Sequence, residues 1–133
     1  MTSRYAIGVG ARRGVDAREL AALVALVAEQ AGVAPRGVPL YTIEGKETED
    51  GLRAAARLLE TELVFLPLEA LLARKDEALT RSPRVEAMLG VGGVAETAAL
   101  AGAGPGSVLL APRVATTRLT CAIARALIED PTS

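Results

Sequence analysis

The chain has 133 residues, enough for one domain to bury a single core. With 15 Lys and Arg against 16 Asp and Glu its net charge is −1, and Tyr5, Tyr41 and Phe65 are its only aromatic residues, so it lacks both a basic field and a stacking platform for nucleic acid. It contains no histidine and one cysteine, Cys121, which removes the commonest general base, the usual metal ligand, Ser-His and Cys-His nucleophiles and any internal disulfide. A zinc site would need carboxylates almost alone, so no metal and no cofactor are expected. The N-terminus carries no basic segment followed by an apolar leader, and no apolar run is long enough to span a bilayer. A lone cysteine suits a reducing compartment, so the expected location is the cytoplasm, away from membrane and nucleic acid.

In chain order, Tyr5 to Val9 reads as a short apolar strand running into a loop that holds Gly10, Arg12, Arg13 and Gly14. Backbone N–H groups, a helix N-terminus and two guanidinium groups at one strand end can form an anion site, and can equally be a plain connection. The spacing Gly8-x-Gly10-x-x-x-Gly14 is one residue too long for a dinucleotide fingerprint, and no P-loop Lys-Ser/Thr follows. Asp16 caps the next helix with Glu19 three residues on, Leu20, Leu23, Val24 and Val27 mark its apolar face, and Gly32 ends it.

Residues 38–43 read as a second strand with Pro39 at its start or on an edge. The polar loop that follows, through Glu44, Lys46 and Glu49, lies where open α/β sheets bind ligands, although its charges suit a solvated turn as well. A helix is expected over residues 50–60 and a buried apolar strand over residues 63–66. Residues 67–90 are helical in pattern, interrupted by a charged stretch from Arg74 to Arg81 and restarted by Ser82-Pro83 as cap and first helical residue, with a stop at Gly90 and a turn at Val91-Gly92-Gly93. Residues 94–101 form a small Ala-rich helix closed by Gly102 and Gly104, residues 107–111 a buried strand, and residues 113–118 a polar loop. Leu119 to Arg125 alternates like a strand, and a helix is the competing assignment; Thr, Cys and Ile favour the strand.

Several segments, in this order, resemble the CobE/CbiG C-terminal-domain family of cobalamin (vitamin B12) biosynthesis: residues 8–14, then Thr42, Lys46 and Glu49, then Ser82-Pro83 with Val85, residues 93–100, Leu110-x-Pro112-Arg113, and Thr120-x-Ala122-Ile123-Ala124-Arg125. The family often has a lysine where Arg113 stands, so a cation is kept with a different geometry. The resemblance implies the freestanding CobE form and a ligand of the precorrin class, a macrocycle rich in acetate and propionate groups, with other enzymes of the pathway as further partners. Guanidinium forks and lysines meet such carboxylates, and small residues let the ring approach the backbone. The candidate ligand-binding residues are therefore Gly10, Arg12, Arg13, Gly14, Thr42, Lys46, Glu96, Arg113 and Thr120.

Glu96, Glu49 and Lys46 are the weak catalytic candidates, as an acid/base pair beside a cation. Glu96 is equally accounted for as an acidic residue favoured in the first turn of a helix. Cys121 in its apolar run is read as a small hydrophobe. The residues and the resemblance together leave three functions open, the first two of them implied by the resemblance. One is binding or carriage of a precorrin-type intermediate; the alternatives are a lyase or hydrolase of the same pathway, acting at the ring lactone or a released two-carbon fragment, and a phosphate- or nucleotide-binding regulatory domain. The fold expected is a single three-layer α/β/α domain over residues 1–133, with a mixed, partly parallel sheet of about four to six strands.

Overall fold

The computed structural model of the chain describes residues 2–79, 93–110 and 113–128. In order, its elements are β1 (Thr2–Ala11), α1 (Ala17–Ala31), β2 (Leu40–Ile43), α2 (Asp50–Leu58), β3 (Leu63–Leu66), α3 (Leu68–Leu72), a 3₁₀ turn (Lys75–Glu77), α4 (Val94–Ala103), β4 (Val108–Leu109), β5 (Val114–Ala115) and β6 (Leu119–Ile128). The sheet has six strands in the order β3-β2-β1-β6-β4, with β5 also pairing β6. The first three strands run parallel, as α-helical crossovers require, and β6 is antiparallel to β1, β4 and β5. The mixed, partly parallel α/β architecture expected from the alternation of elements is thus present.

The two faces of the sheet differ in side-chain size, and this decides how closely each helical layer approaches. Ile7 and Val9 of β1, Leu40 of β2 and Leu119, Cys121 and Ile123 of β6 join Leu20, Leu23, Val24 and Val27 of α1 and Leu52, Ala55 and Ala56 of α2 in the larger core. On the opposite face Ala6, Ala122, Ala124 and Ala126 meet Ala95, Ala99, Leu100 and Ala103 of α4. A Cβ on Gly8 would run into the Ala95 carbonyl oxygen and lie 2.6 Å from the Ala99 nitrogen, so the helix backbone rests directly on the strand. Leu71 of α3, Ile43 and Ala98 extend this second layer.

Local signals place the helix ends. Asp16 Oδ1 accepts from the Arg18 and Glu19 amides at 2.9 and 3.0 Å, and Gly32 closes α1 at φ 72°, in the left-handed region where a side chain is disfavoured. Arg74 fastens the other end of α4. Its Nη1 donates to the Leu100 and Gly104 carbonyls at 3.0 and 3.1 Å and to Ser107 Oγ at 2.9 Å, while Nη2 donates to the Ser107 carbonyl at 2.8 Å and to Glu77. A guanidinium among helix-terminal carbonyls satisfies orphan acceptors and complements the helix dipole.

The 119–125 segment is the strand expected of it, and its ladder with β1 runs from Thr2↔Ile128 to Ala11↔Leu119. Several other elements differ from expectation. The strand expected over 107–111 shrinks to Val108–Leu109 at the sheet edge, with Val108 exposed, because Ser107 is held by Arg74 instead. β3 is the other edge, so its four apolar residues are half-buried rather than buried, and Arg53 lies 5.4 Å over the Phe65 ring. Gly102 does not close α4; it lies inside the helix, where its missing Cβ makes room for the Tyr41 ring. The polar loop 113–118 contains β5. Arg74, the half-buried start of the charged stretch, is held against the end of α4, while the Ser82-Pro83 cap, the stop at Gly90 and most of the 91–93 turn lie outside the described residues.

Two outcomes follow. Gly8→Ala should lower stability by about 3 kcal/mol or more, the upper end for overpacking, because the obstructing atoms are backbone; urea unfolding at an unchanged m-value would measure it, and a wild-type midpoint would contradict the packing described. Glu77 is held below its ordinary pKa of 4.5 by the hydrogen bond from Arg74. Because the folded pKa is the lower one, the contribution is present above pH 4.5 and is lost as pH falls through the depressed value. The gap in urea midpoint between wild type and Glu77→Gln should therefore be open at neutral pH and close in acid; a gap independent of pH would refute the assignment.

Candidate functional site

Parallel strands deliver their connecting loops to one end of the sheet, and here the antiparallel β5–β6 hairpin arrives at the same end. Between them lies a cleft of about 500 Å³. Its walls are Gly10, Ala11 and Arg12 at the end of β1; Thr42, Ile43, Glu44, Gly45 and Lys46 at the end of β2; Val94 at the start of α4; and Arg113, Ala115, Thr116, Thr117, Arg118, Leu119 and Thr120 from the hairpin. Four cations, Arg12, Lys46, Arg113 and Arg118, therefore share the cleft with one carboxylate, Glu44. Among the described residues none of these four is ion-paired; the ion pairs there are Arg36–Glu60 and Arg74–Glu77.

The floor is flat because of a cross-strand pair. Gly10 faces Thr120 across the β1–β6 ladder, Thr120 Oγ1 donates to the Gly10 carbonyl at 3.4 Å, and a Cβ at Gly10 would collide with that hydroxyl. The same Cβ would lie 3.7 Å from the Val94 side chain, which puts the N-terminus of α4 against the floor. That end carries the positive pole of the helix dipole, and its cap residue Gly93 supplies no side chain to satisfy it. Thr42, at the end of β2, is 1 % exposed and lines the same cleft.

Of the residues singled out in the sequence, Gly10, Arg12, Thr42, Lys46, Arg113 and Thr120 line the cleft together. Arg13, Gly14, Glu49 and Glu96 do not. The Gly14 amide donates to both Glu49 carboxylate oxygens at 3.2 and 3.3 Å, and the Val15 amide to one of them at 3.4 Å. The anion that suits this loop's amides is thus a side chain of the chain itself. Glu96 is fully buried in the first turn of α4 and accepts from the Leu79 amide at 3.3 Å. Glu96, Glu49 and Lys46 are not assembled around one point; of the three, Lys46 alone lines the cleft. Arg118 and the neighbouring threonines were missed, since residues 113–118 read only as a polar loop and nothing local shows a hairpin folding back over β1.

Among the described residues no group of three His, Cys, Asp or Glu side chains could hold a metal ion, and no helix is long and apolar enough to cross a membrane. Cys121 lies on the α1/α2 face, and burial pushes its thiol up to about 12. The folded protein should therefore react with a thiol reagent at neutral pH no faster than it unfolds, and stoichiometrically in denaturant. Prompt labelling of the native state would place Cys121 elsewhere.

Against known proteins, residues 5–124 match the family model described as cobalamin synthesis G C-terminus. The chain is 33% identical over 119 residues to protein CobE of Sinorhizobium sp., covering 89% of this chain and 77% of that protein. Its fold matches the crystal structure of CobE, a protein from the cobalamin (vitamin B12) biosynthetic pathway, at a TM-score of 0.87 and 34% identity, with 98% and 95% of the two chains covered. It also matches cobalamin biosynthesis protein chiG from Agrobacterium tumefaciens str. C58 at a TM-score of 0.68 and 31% identity, with 90% and 96% covered. A strand–loop–helix sheet with a cationic cleft at its loop end, matched along nearly its whole length by these relatives, belongs to the cobalamin synthesis G C-terminal family and is a CobE/CbiG-like cobalamin biosynthesis protein.

Proposed function

We propose that the cleft binds a precorrin-type macrocycle by its peripheral carboxylates. The observation that carries this reading is the convergence of Arg12, Lys46, Arg113 and Arg118 on one cleft of a chain whose net charge is −1. Four cations without ion-pair partners among the described residues repel one another, and a ligand bearing several carboxylates relieves that repulsion. The three arginines offer planar forks for bidentate contact, and Lys46 a compact point charge. Gly10 and Thr120 leave the floor low enough for the edge of a large ring, with Thr42 beside them in the lining.

A phosphate or nucleotide site in the β1–α1 loop is less well supported, because the Gly14 and Val15 amides that would hold the phosphate already receive Glu49. Carriage of the intermediate to another enzyme of the pathway fits the cleft better than turnover, since Glu49 and Glu96 do not face it. The proposed location is the cytoplasm, where a lone free thiol stays reduced.

Titration with hydrogenobyrinic acid, a metal-free ring of this class, tests the reading through the ring's absorbance. Saturable binding with the chromophore retained is expected. Arg12→Ala and Arg118→Ala should each weaken it by about tenfold or more, as loss of a charged hydrogen bond does. Affinity should also fall as salt rises. A new chromophore would make the protein an enzyme, and no binding would discard the ligand.

A further inference from the structure

The loop bearing Arg12 is tied on two sides, and the ties have different origins. On the hairpin side the Arg12 amide donates to the Arg118 carbonyl at 3.0 Å, and Arg118 Nη1 donates to the Arg13 carbonyl at 3.4 Å. On the other side the Gly14 and Val15 amides converge on the Glu49 carboxylate. Gly51, in the first turn of α2, approaches Val15 so closely that a Cβ there would run into the Val15 carbonyl. Glu49 also belongs to the loop that bears Lys46, and its own amide donates to the Lys46 carbonyl at 3.0 Å.

We infer that Glu49 is a positioning residue: by bridging the Lys46 loop to the Gly14 and Val15 amides, it fixes Arg12 and Lys46 at a set separation across the cleft. This role presupposes the polycarboxylate ligand proposed above, and it narrows the class of that ligand. Cations held at fixed separation favour carboxylates mounted on a rigid framework over the same number on a flexible chain, which must first be ordered. Glu49 does not line the cleft, so it acts on the ligand through Arg12 and Lys46. What the role requires is an acceptor oxygen at the reach of a glutamate, not a negative charge.

Two substitutions separate these properties. Glu49→Gln keeps a carbonyl oxygen at the same reach and loses the charge; Glu49→Asp keeps the charge and is shorter by one methylene. A positioning role predicts that Glu49→Asp loses about tenfold or more in affinity for hydrogenobyrinic acid while Glu49→Gln loses less. It also predicts that Gly14 and Val15 amide exchange quickens in the Asp variant ahead of global unfolding. An acid/base or purely electrostatic role predicts the reverse order, and either that order or unchanged exchange in Glu49→Asp overturns the inference. Should wild-type protein bind no macrocycle, the ligand reading fails and the amides decide by themselves. The tie then stands if Glu49→Asp shifts the backbone NMR signals of both Arg12 and Lys46 more than Glu49→Gln does, and falls if it does not.

Discussion

The structure depends on one close approach, that of α4 to the β1–β6 pair. Glycine at position 8 and alanines at 6, 122, 124 and 126 remove side-chain bulk from that face, so helix backbone and strand backbone come into near contact. Such packing gains little per residue from hydrophobic area, since alanine has little to bury. It gains instead from short dispersion contacts between closely approaching backbones. The opposite face, built from Ile, Val and Leu, supplies the larger apolar burial. The sheet thus draws its stability chiefly from one side and its positional accuracy from the other.

Accuracy matters because the N-terminus of α4 forms part of the cleft. Ala95 and Ala99 pressed on Gly8 locate the helix laterally, while Arg74 anchors its far end through Leu100, Gly104 and Ser107. The remaining walls are loops, which are ordinarily the mobile parts of an α/β fold. Here they are bound to one another by a carboxylate on backbone amides, a glycine against a carbonyl and a strand-end hydrogen bond. A closely packed back wall and linked front walls thus frame the cleft in which Arg12, Lys46, Arg113 and Arg118 converge.

How much of this was legible in the sequence follows from range. Helix α1 could be read from Asp16 to Gly32 because caps and apolar spacing are local. The mixed sheet could be inferred from alternating elements, and the basic positions Arg12, Lys46 and Arg113 from their places at strand ends and from the family resemblance. What could not be read was set by partners distant in the chain. Gly102 looks like a helix stop until Tyr41 is seen over it, and Glu49 looks like a surface charge or a base until Gly14 and Val15 are seen to point at it. Arg118 has no local signal at all, because its role depends on a hairpin folding back onto β1.

The pairing of β1 with β6 sets the order in which the molecule can be completed during synthesis. Thr120 and Gly10 meet across 110 residues of chain, and the strand that arrives last takes the place between β1 and β4 rather than an edge. Until it is made, β1 shows an open flank, α4 lacks Ala122, Ala124 and Ala126 beneath it, and the larger core is without Leu119, Cys121 and Ile123. Closing so long a loop costs entropy before any contact repays it, which favours slow, late folding. On the ribosome the α1–β2–α2–β3 half must therefore wait as an incomplete sheet, so the cleft forms only after translation has passed β6.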